Sequence, residues 1–165
     1  MDVLKLATDW ATAEATTASF FIVFGLLFIA SSIGLWKWGK TKLARAYIFP
    51  TLIAGILLTV LGSALFEMYY SLIEGLTQKY LADTFAFVEN EILRTNGAII
   101  SYKSDLFNVF PFVIAGTSIL LMVIKREILR AIFITIIAMS AIILLVDSNA
   151  ISLLEHYNTS LQQLK

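Results

Sequence analysis

The chain has 165 residues, 59% of them hydrophobic and 15% charged, with a mean hydropathy of +0.84. An ordinary soluble domain is about 45–50% apolar and about 25% charged, so this composition excludes a soluble globule and an intrinsically disordered chain alike. Basic and acidic residues balance at 12 each, no cysteine is present and the one histidine is His156, which leaves no bulk field for nucleic acid, no thiolate chemistry and no histidine-rich metal or haem site.

The length allows one domain, 1–165. Residues 1–14 carry Asp2, Asp9 and Glu14 against Lys5, with Val3, Ala7 and Trp10 at helical spacing. An uncharged run of 22 residues, 15–36, follows them. A secretory signal peptide is not expected here, because the leading charge is acidic and the basic cluster follows the apolar run. A second uncharged run covers 46–66, a third covers 106–124, and a fourth covers 131–146 and lengthens to 128–146 if Arg130 reaches the headgroups. Crossing about 30 Å of hydrocarbon takes about 20 helical residues, so spans are predicted at 15–36, 46–66, 106–124 and 128–146. In lipid a backbone must satisfy its own hydrogen bonds, which makes all four helical.

The connectors orient them. Segments 37–45 and 125–130 hold seven basic residues and one acid, Glu127; the remaining non-apolar segments hold five basic residues and eleven acids. The zero net charge thus divides into +6 and −6. The positive-inside rule places both short connectors in the cytoplasm and both termini outside.

The outer segments 1–14, 67–104 and 148–165 are patterned as amphipathic helix. Tyr69, Ile73, Leu76 and Tyr80 recur at helical spacing, as do Leu81, Phe85, Val88 and Ile92, and later Ala150, Leu154, Tyr157, Leu161 and Leu164. Asn96-Gly97 reads as a helix stop. A straight helix over 67–95 climbs about 43 Å, and 97–105 returns at most about 30 Å, so the segment must bend. The bend is expected between Glu74 and Asp83, where Gly75 weakens the helix. The fold class is therefore an all-α integral membrane bundle of four helices with a small helical extracytoplasmic cap, N-out and C-out.

Small residues mark the expected helix contacts. These are Ala18, Gly25 and Ser32 with Ala30 and Gly34 in span one, and Gly55, Thr59 and Ser63 in span two. Span three offers Asn108, Pro111, Ala115 and Ser118; span four offers Ala131, Thr135 and Ala138. Leu43-Ala44-Arg45-Ala46 and Ile128-Leu129-Arg130-Ala131 align as a faint internal repeat at an offset of 85. No span carries a charge at mid-depth, which argues against a proton-coupled transporter.

One carboxylate ends each span on the outer side. Glu14 and Asp105 are expected at helix N-termini, where Ser104 or Asp105 can cap and negative charge is favoured. Glu67 and Asp147 would meet a negative helix end, so those helices are expected to continue past them. The candidate cation-binding or polar-network site comprises Glu67, Glu89, Glu91, Arg94 and Asp147; no catalytic residue, cofactor or dedicated metal site is expected. The sequon Asn158-Thr159-Ser160 lies on the outer side and matters only in a eukaryotic host.

Glu91-Ile92-Leu93-Arg94, then Tyr102-Lys103, then an apolar hairpin ending at Asp147 with Glu155-His156-Tyr157 beyond, resembles a pattern of small bacterial four-span membrane proteins of unassigned activity. The resemblance covers about residues 86–165. It implies a bacterial inner membrane and a structural polar network of Glu91, Arg94, Tyr102, Asp147 and Tyr157, with no reaction, substrate or cofactor.

No HExxH, GxSxG, P-loop or dinucleotide fingerprint is present, so an enzyme is not expected. The expected function is a non-catalytic interaction protein in the membrane, an accessory or immunity-type subunit. Its partners are the lipid bilayer and another membrane or extracytoplasmic protein, or a second copy of itself; nucleic acid is not among them. The alternative is a homo-oligomeric cation channel or pore-forming subunit.

Overall fold

Four helical stretches are long and apolar enough to cross a membrane: 3–38, 42–82, 84–123 and 127–162. The computed structural model describes residues 2–164, with the side chain of Asp105 excepted. Its elements are α1 (Val3–Trp38), α2 (Lys42–Ala46), α3 (Ile48–Ala82), α4 (Thr84–Asn108), α5 (Phe110–Val123) and α6 (Glu127–Gln162), with no strand among the described residues. The chain is thus an all-helical, multi-pass bundle.

The helices outrun the apolar runs that seed them. The 36 residues of α1 and of α6 each measure about 54 Å, well beyond the roughly 30 Å a bilayer core demands. α1 begins where the Asp2 carboxylate accepts the Leu4 N–H at 3.0 Å. It continues without a break through Glu14, so Glu14 lies inside a helix and not at its N-terminus, and residues 3–14 are continuous with the first span. α3 and α6 likewise run through Glu67 and Asp147, as the mismatch with the helix dipole requires.

The bend in 67–105 falls at the far edge of the expected window. Asp83 alone leaves helical geometry, with φ −158° and ψ 105°. Its N–H still donates to Lys79 O at 3.3 Å, and its carboxylate accepts the Ala86 N–H at 3.0 Å. One residue therefore closes α3 and caps α4. Gly75 stays helical in α3, and Asn96-Gly97 does not stop α4, which runs on through Ser104 and Asp105 to Asn108. Neither Ser104 nor Asp105 opens a helix, so the capping expected there does not occur; the Asp105 side chain lies outside the described residues. The break comes instead at Val109, because Pro111 has no N–H to donate back and its ring crowds the preceding turn.

Glycine sets the α1–α3 contact. A Cβ on Gly55 would come within 2.8 Å of Gly25 O, and one on Gly62 within 2.8 Å of Ile22 N. Ser32 Oγ donates to Ile48 O at 2.7 Å and ties the hairpin near its connector. Ala18, Gly25 and Ser32 are buried as expected. On α3 the buried face is Ala54, Gly55, Leu58 and Gly62, turned away from Ser63, which is exposed, as is Ala30. Phe21, Leu58 and Val146 fill the space between α1, α3 and α6.

Ala131 and Thr135 of α6 are buried too. The face expected to pack in span three is not: Asn108, Pro111, Ala115 and Ser118 are exposed, and α5 buries no residue. α5 rests beside α6 alone among the other spanning helices, so most of its surface has no protein neighbour. The aligned repeat also diverges, because 43–46 lies in the separate short helix α2 whereas 128–131 opens α6.

The larger core lies at the acidic ends of the helices. Ala7, Trp10, Ala11 and Ala15 of α1 pack with Tyr69 and Leu76 of α3, Phe87 of α4, and Leu154, Tyr157 and Leu161 of α6. The stripes read from 69–80 and 150–164 supply half of it. The stripe read from 81–92 does not face inward as expected: Leu81 and Phe85 are exposed, Val88 and Ile92 are only partly buried, and Phe87 is the buried residue of that segment.

Candidate functional site

Helical spacing aims three polar sets at one another. Trp10 and Glu14 stand four apart on α1; Glu91, Arg94 and Thr95 share a face of α4; Tyr157 and Asn158 do the same on α6. Glu91, buried, accepts two hydrogen bonds from Arg94, Nε at 3.0 Å and Nη2 at 2.7 Å, and a third from the Tyr157 hydroxyl at 3.2 Å. Burial works against the Arg94 charge, but the hydrogen bonds and charge of Glu91 outweigh it and raise the guanidinium's pKa. Burial, then the Glu91 carboxylate, holds the Tyr157 phenol above its ordinary range.

Below this pair, Asn158 Nδ2 donates to Thr95 Oγ1 at 2.5 Å and to Asn96 Oδ1 at 3.1 Å, while its own carbonyl accepts from Gln162 at 2.6 Å. Lys103 and Glu155 add an exposed ion pair at 2.6 Å, of a kind that contributes about 0–1 kcal/mol. α4 and α6 are thereby fastened along three turns. Among the described residues no buried side-chain nitrogen or oxygen lacks a partner.

Trp10 joins α1 to this network. Its indole stacks on Tyr157 with centroids 4.9 Å apart and meets Tyr69 edge-on at 6.0 Å. The Arg94 Cζ lies 4.8 Å over the same indole, a cation–π contact. The indole N–H donates to Glu14 Oε1 at 3.3 Å. Glu14 is 3% exposed and sits one residue before the first uncharged run. Burial and, less strongly, the Asp147 charge push its carboxyl up to about 7, against the Trp10 hydrogen bond and Arg94. Burial, then Glu14, holds the Tyr69 phenol high as well.

A cleft of about 470 Å³ opens beside these groups, lined by Trp10, Glu14, Tyr69, Arg94 and Tyr102 with Leu154 behind them. On the opposite side α4 turns Leu93, Ile100 and Phe107 outward, 66%, 70% and 66% exposed, at spacings of seven. A Cβ on Gly97, between them, would meet nothing within 4 Å.

Of the residues singled out in the sequence, Glu91 and Arg94 are in contact, and the Asp147 charge acts on Glu14. Glu67 and Glu89 are exposed on α3 and α4. Among the described residues no three histidines or carboxylates stand together as metal ligands. Tyr157 joins the network through Glu91, whereas Tyr102 lies at the cleft. In the sequence Trp10, Glu14 and Asn158 read as a stripe residue, a helix-end acid and part of a sequon, not as members of this site, and Thr95 is not singled out. The i, i+4 spacing of Trp10 and Glu14 was a usable signal for α1, but their partners lie on other helices.

No protein-family model, no curated protein and no solved structure matches this chain.

Proposed function

We propose that this is a non-catalytic integral membrane protein that acts by binding another membrane-associated protein, as an accessory or immunity-type subunit. Charge sorting supports an arrangement in which the connectors at 37–45 and 125–130 face the cytoplasm and both termini and the Asp83 turn lie outside. The ends of the helices then form the extracytoplasmic cap, and the resemblance over residues 86–165 supports a bacterial inner membrane.

The observation that carries this reading is the outer face of α4. In that arrangement Leu93 and Ile100 stand about 20 and 9 Å beyond the third uncharged run, where lipid tails do not cover them. α4 cannot rotate to hide them, because Glu91, Thr95 and Lys103 hold its other face to α6. Burying two such side chains on a partner helix yields about 1.5–3 kcal/mol each. The partner is therefore a membrane-anchored protein with an apolar helical face outside the bilayer.

The hydroxyls of Thr59, Thr117 and Thr135 donate to carbonyls of their own helices, so no observation favours the channel alternative over this reading. A pull-down of the tagged chain in mild detergent tests it. One stoichiometric partner is expected with the wild type and none with a Leu93→Ser/Ile100→Ser variant. Recovery of the chain alone overturns the reading in favour of self-association.

A further inference from the structure

We propose that the cleft between α1, α3 and α4 binds an organic ammonium group, held by the Glu14 carboxylate against the aromatic walls of Tyr69 and Tyr102. Its volume, about 470 Å³, falls within the range of small-molecule sites. This inference is independent of the α4 face and of any protein partner.

Charge leads to the same ligand. Two charged groups line the cleft, Glu14 and Arg94. Arg94 is already neutralised by Glu91 through two hydrogen bonds, which leaves the Glu14 carboxylate as the charge the cleft offers a ligand. A carboxylate can accept about four hydrogen bonds, yet Glu14 accepts one, from an indole at 3.3 Å, while being almost fully withdrawn from water. A buried carboxylate so thinly supported needs a proton or a cation beside it. No three carboxylates or histidines converge among the described residues, so a bare metal ion would lack ligands. An ammonium needs one carboxylate and aromatic faces. Arg94 over Trp10 already displays that geometry within the same wall. Met68 and Leu72 extend the wall with apolar surface for a short alkyl substituent, and Gly75 leaves its side open.

The proton is the ligand's competitor. Tyr69 from α3, Arg94 from α4 and Asp147 from α6 are the ionisable groups whose charge is coupled to Glu14. Burial holds its carboxyl near 7, so an arriving cation displaces a proton and binding weakens as pH falls below 7. The ammonium has two chemical sources, a soluble amine or the headgroup of an aminophospholipid, because Glu14 adjoins the first uncharged run.

Calorimetric titration of the full chain with butylammonium, in dodecyl maltoside micelles at pH 8, tests the proposal. Saturable binding is expected, at least tenfold weaker in Glu14→Gln and unchanged in Glu67→Gln, whose side chain lies outside the cleft. Affinity should fall about tenfold per pH unit well below 7. Adding phosphatidylethanolamine to the micelles separates the sources: competition identifies the lipid headgroup, and unchanged affinity identifies a soluble amine. Absence of saturable binding at pH 8 overturns the proposal. So does a Glu14→Gln protein, folded by its near-ultraviolet circular dichroism, that binds like the wild type.

Discussion

The indole of Trp10 lies flat on the ring of Tyr157, 4.9 Å between centroids and 5° from parallel. The two residues are the first and last aromatic groups of the acidic-end core, and their stack closes α1 onto α6. Replacing Trp10 by Ala removes this stack, the edge contact with Tyr69 and the hydrogen bond to Glu14. A loss of about 3–5 kcal/mol is expected, and Trp10→Phe should recover most of it. Unfolding of the purified protein in mixed micelles measures both.

Glu14 makes stability depend on pH with a definite sign. Its pKa is raised in the folded protein, from 4.5 to about 7, so the folded state binds the proton more tightly than the unfolded chain. Stability is therefore greatest below 4.5 on this account, declines as pH rises through 7, and levels off above it. The penalty at pH 8 is up to about 3 kcal/mol. Glu14→Gln should melt higher than the wild type at pH 8 and converge with it at pH 5. A difference in melting temperature that is constant from pH 5 to 8 contradicts this account.

The glycines divide into two groups. Gly25→Ala and Gly55→Ala push a methyl into the facing backbone and should each cost about 1–3 kcal/mol. Gly97→Ala meets open space inside α4 and should stabilise by about 0.5–1 kcal/mol through helix propensity. Denaturant titrations of the three variants should therefore shift in opposite directions.

Glu91 serves two donors at once. Glu91→Ala leaves the half-exposed Arg94 guanidinium and the Tyr157 hydroxyl without their acceptor, at an expected cost of about 2–3 kcal/mol. Tyr157→Phe loses one hydrogen bond, about 1 kcal/mol. A double-mutant cycle between the two positions should give a non-zero coupling, and strict additivity would show that the 3.2 Å contact is not energetically significant.

The chain contains no cysteine, so single substitutions report topology cleanly. In sealed cells an impermeant maleimide should label Asp83→Cys and spare Thr41→Cys. The reverse pattern would invert the proposed orientation.

The four apolar runs and the charge asymmetry of their connectors were legible because both are local. An uncharged stretch of 16–22 residues carries its own reason to be helical and to avoid water, and a stretch such as 37–45 carries its basic charge wherever the helices go. Continuation through Glu67 and Asp147 was legible for a related reason, since the residues beyond them keep the helical stripe.

The lengths of the other helices and the grouping of polar residues belonged to the tertiary structure. Gly75 and Gly97 looked like breaks because glycine costs helix stability; packing of α3 and α4 through Leu76, Phe87 and their neighbours offsets that cost. Glu14 looked like an ordinary N-terminal acid until α1 proved to start eleven residues before it. Its partners, Tyr69, Arg94 and Asp147, come from three other helices. By itself the sequence determined that four helices would form and how their charges would sort. Which face each helix buries, and therefore which carboxylate gained an arginine and which was left beside a cleft, depended on contacts between residues as far apart as Trp10 and Tyr157.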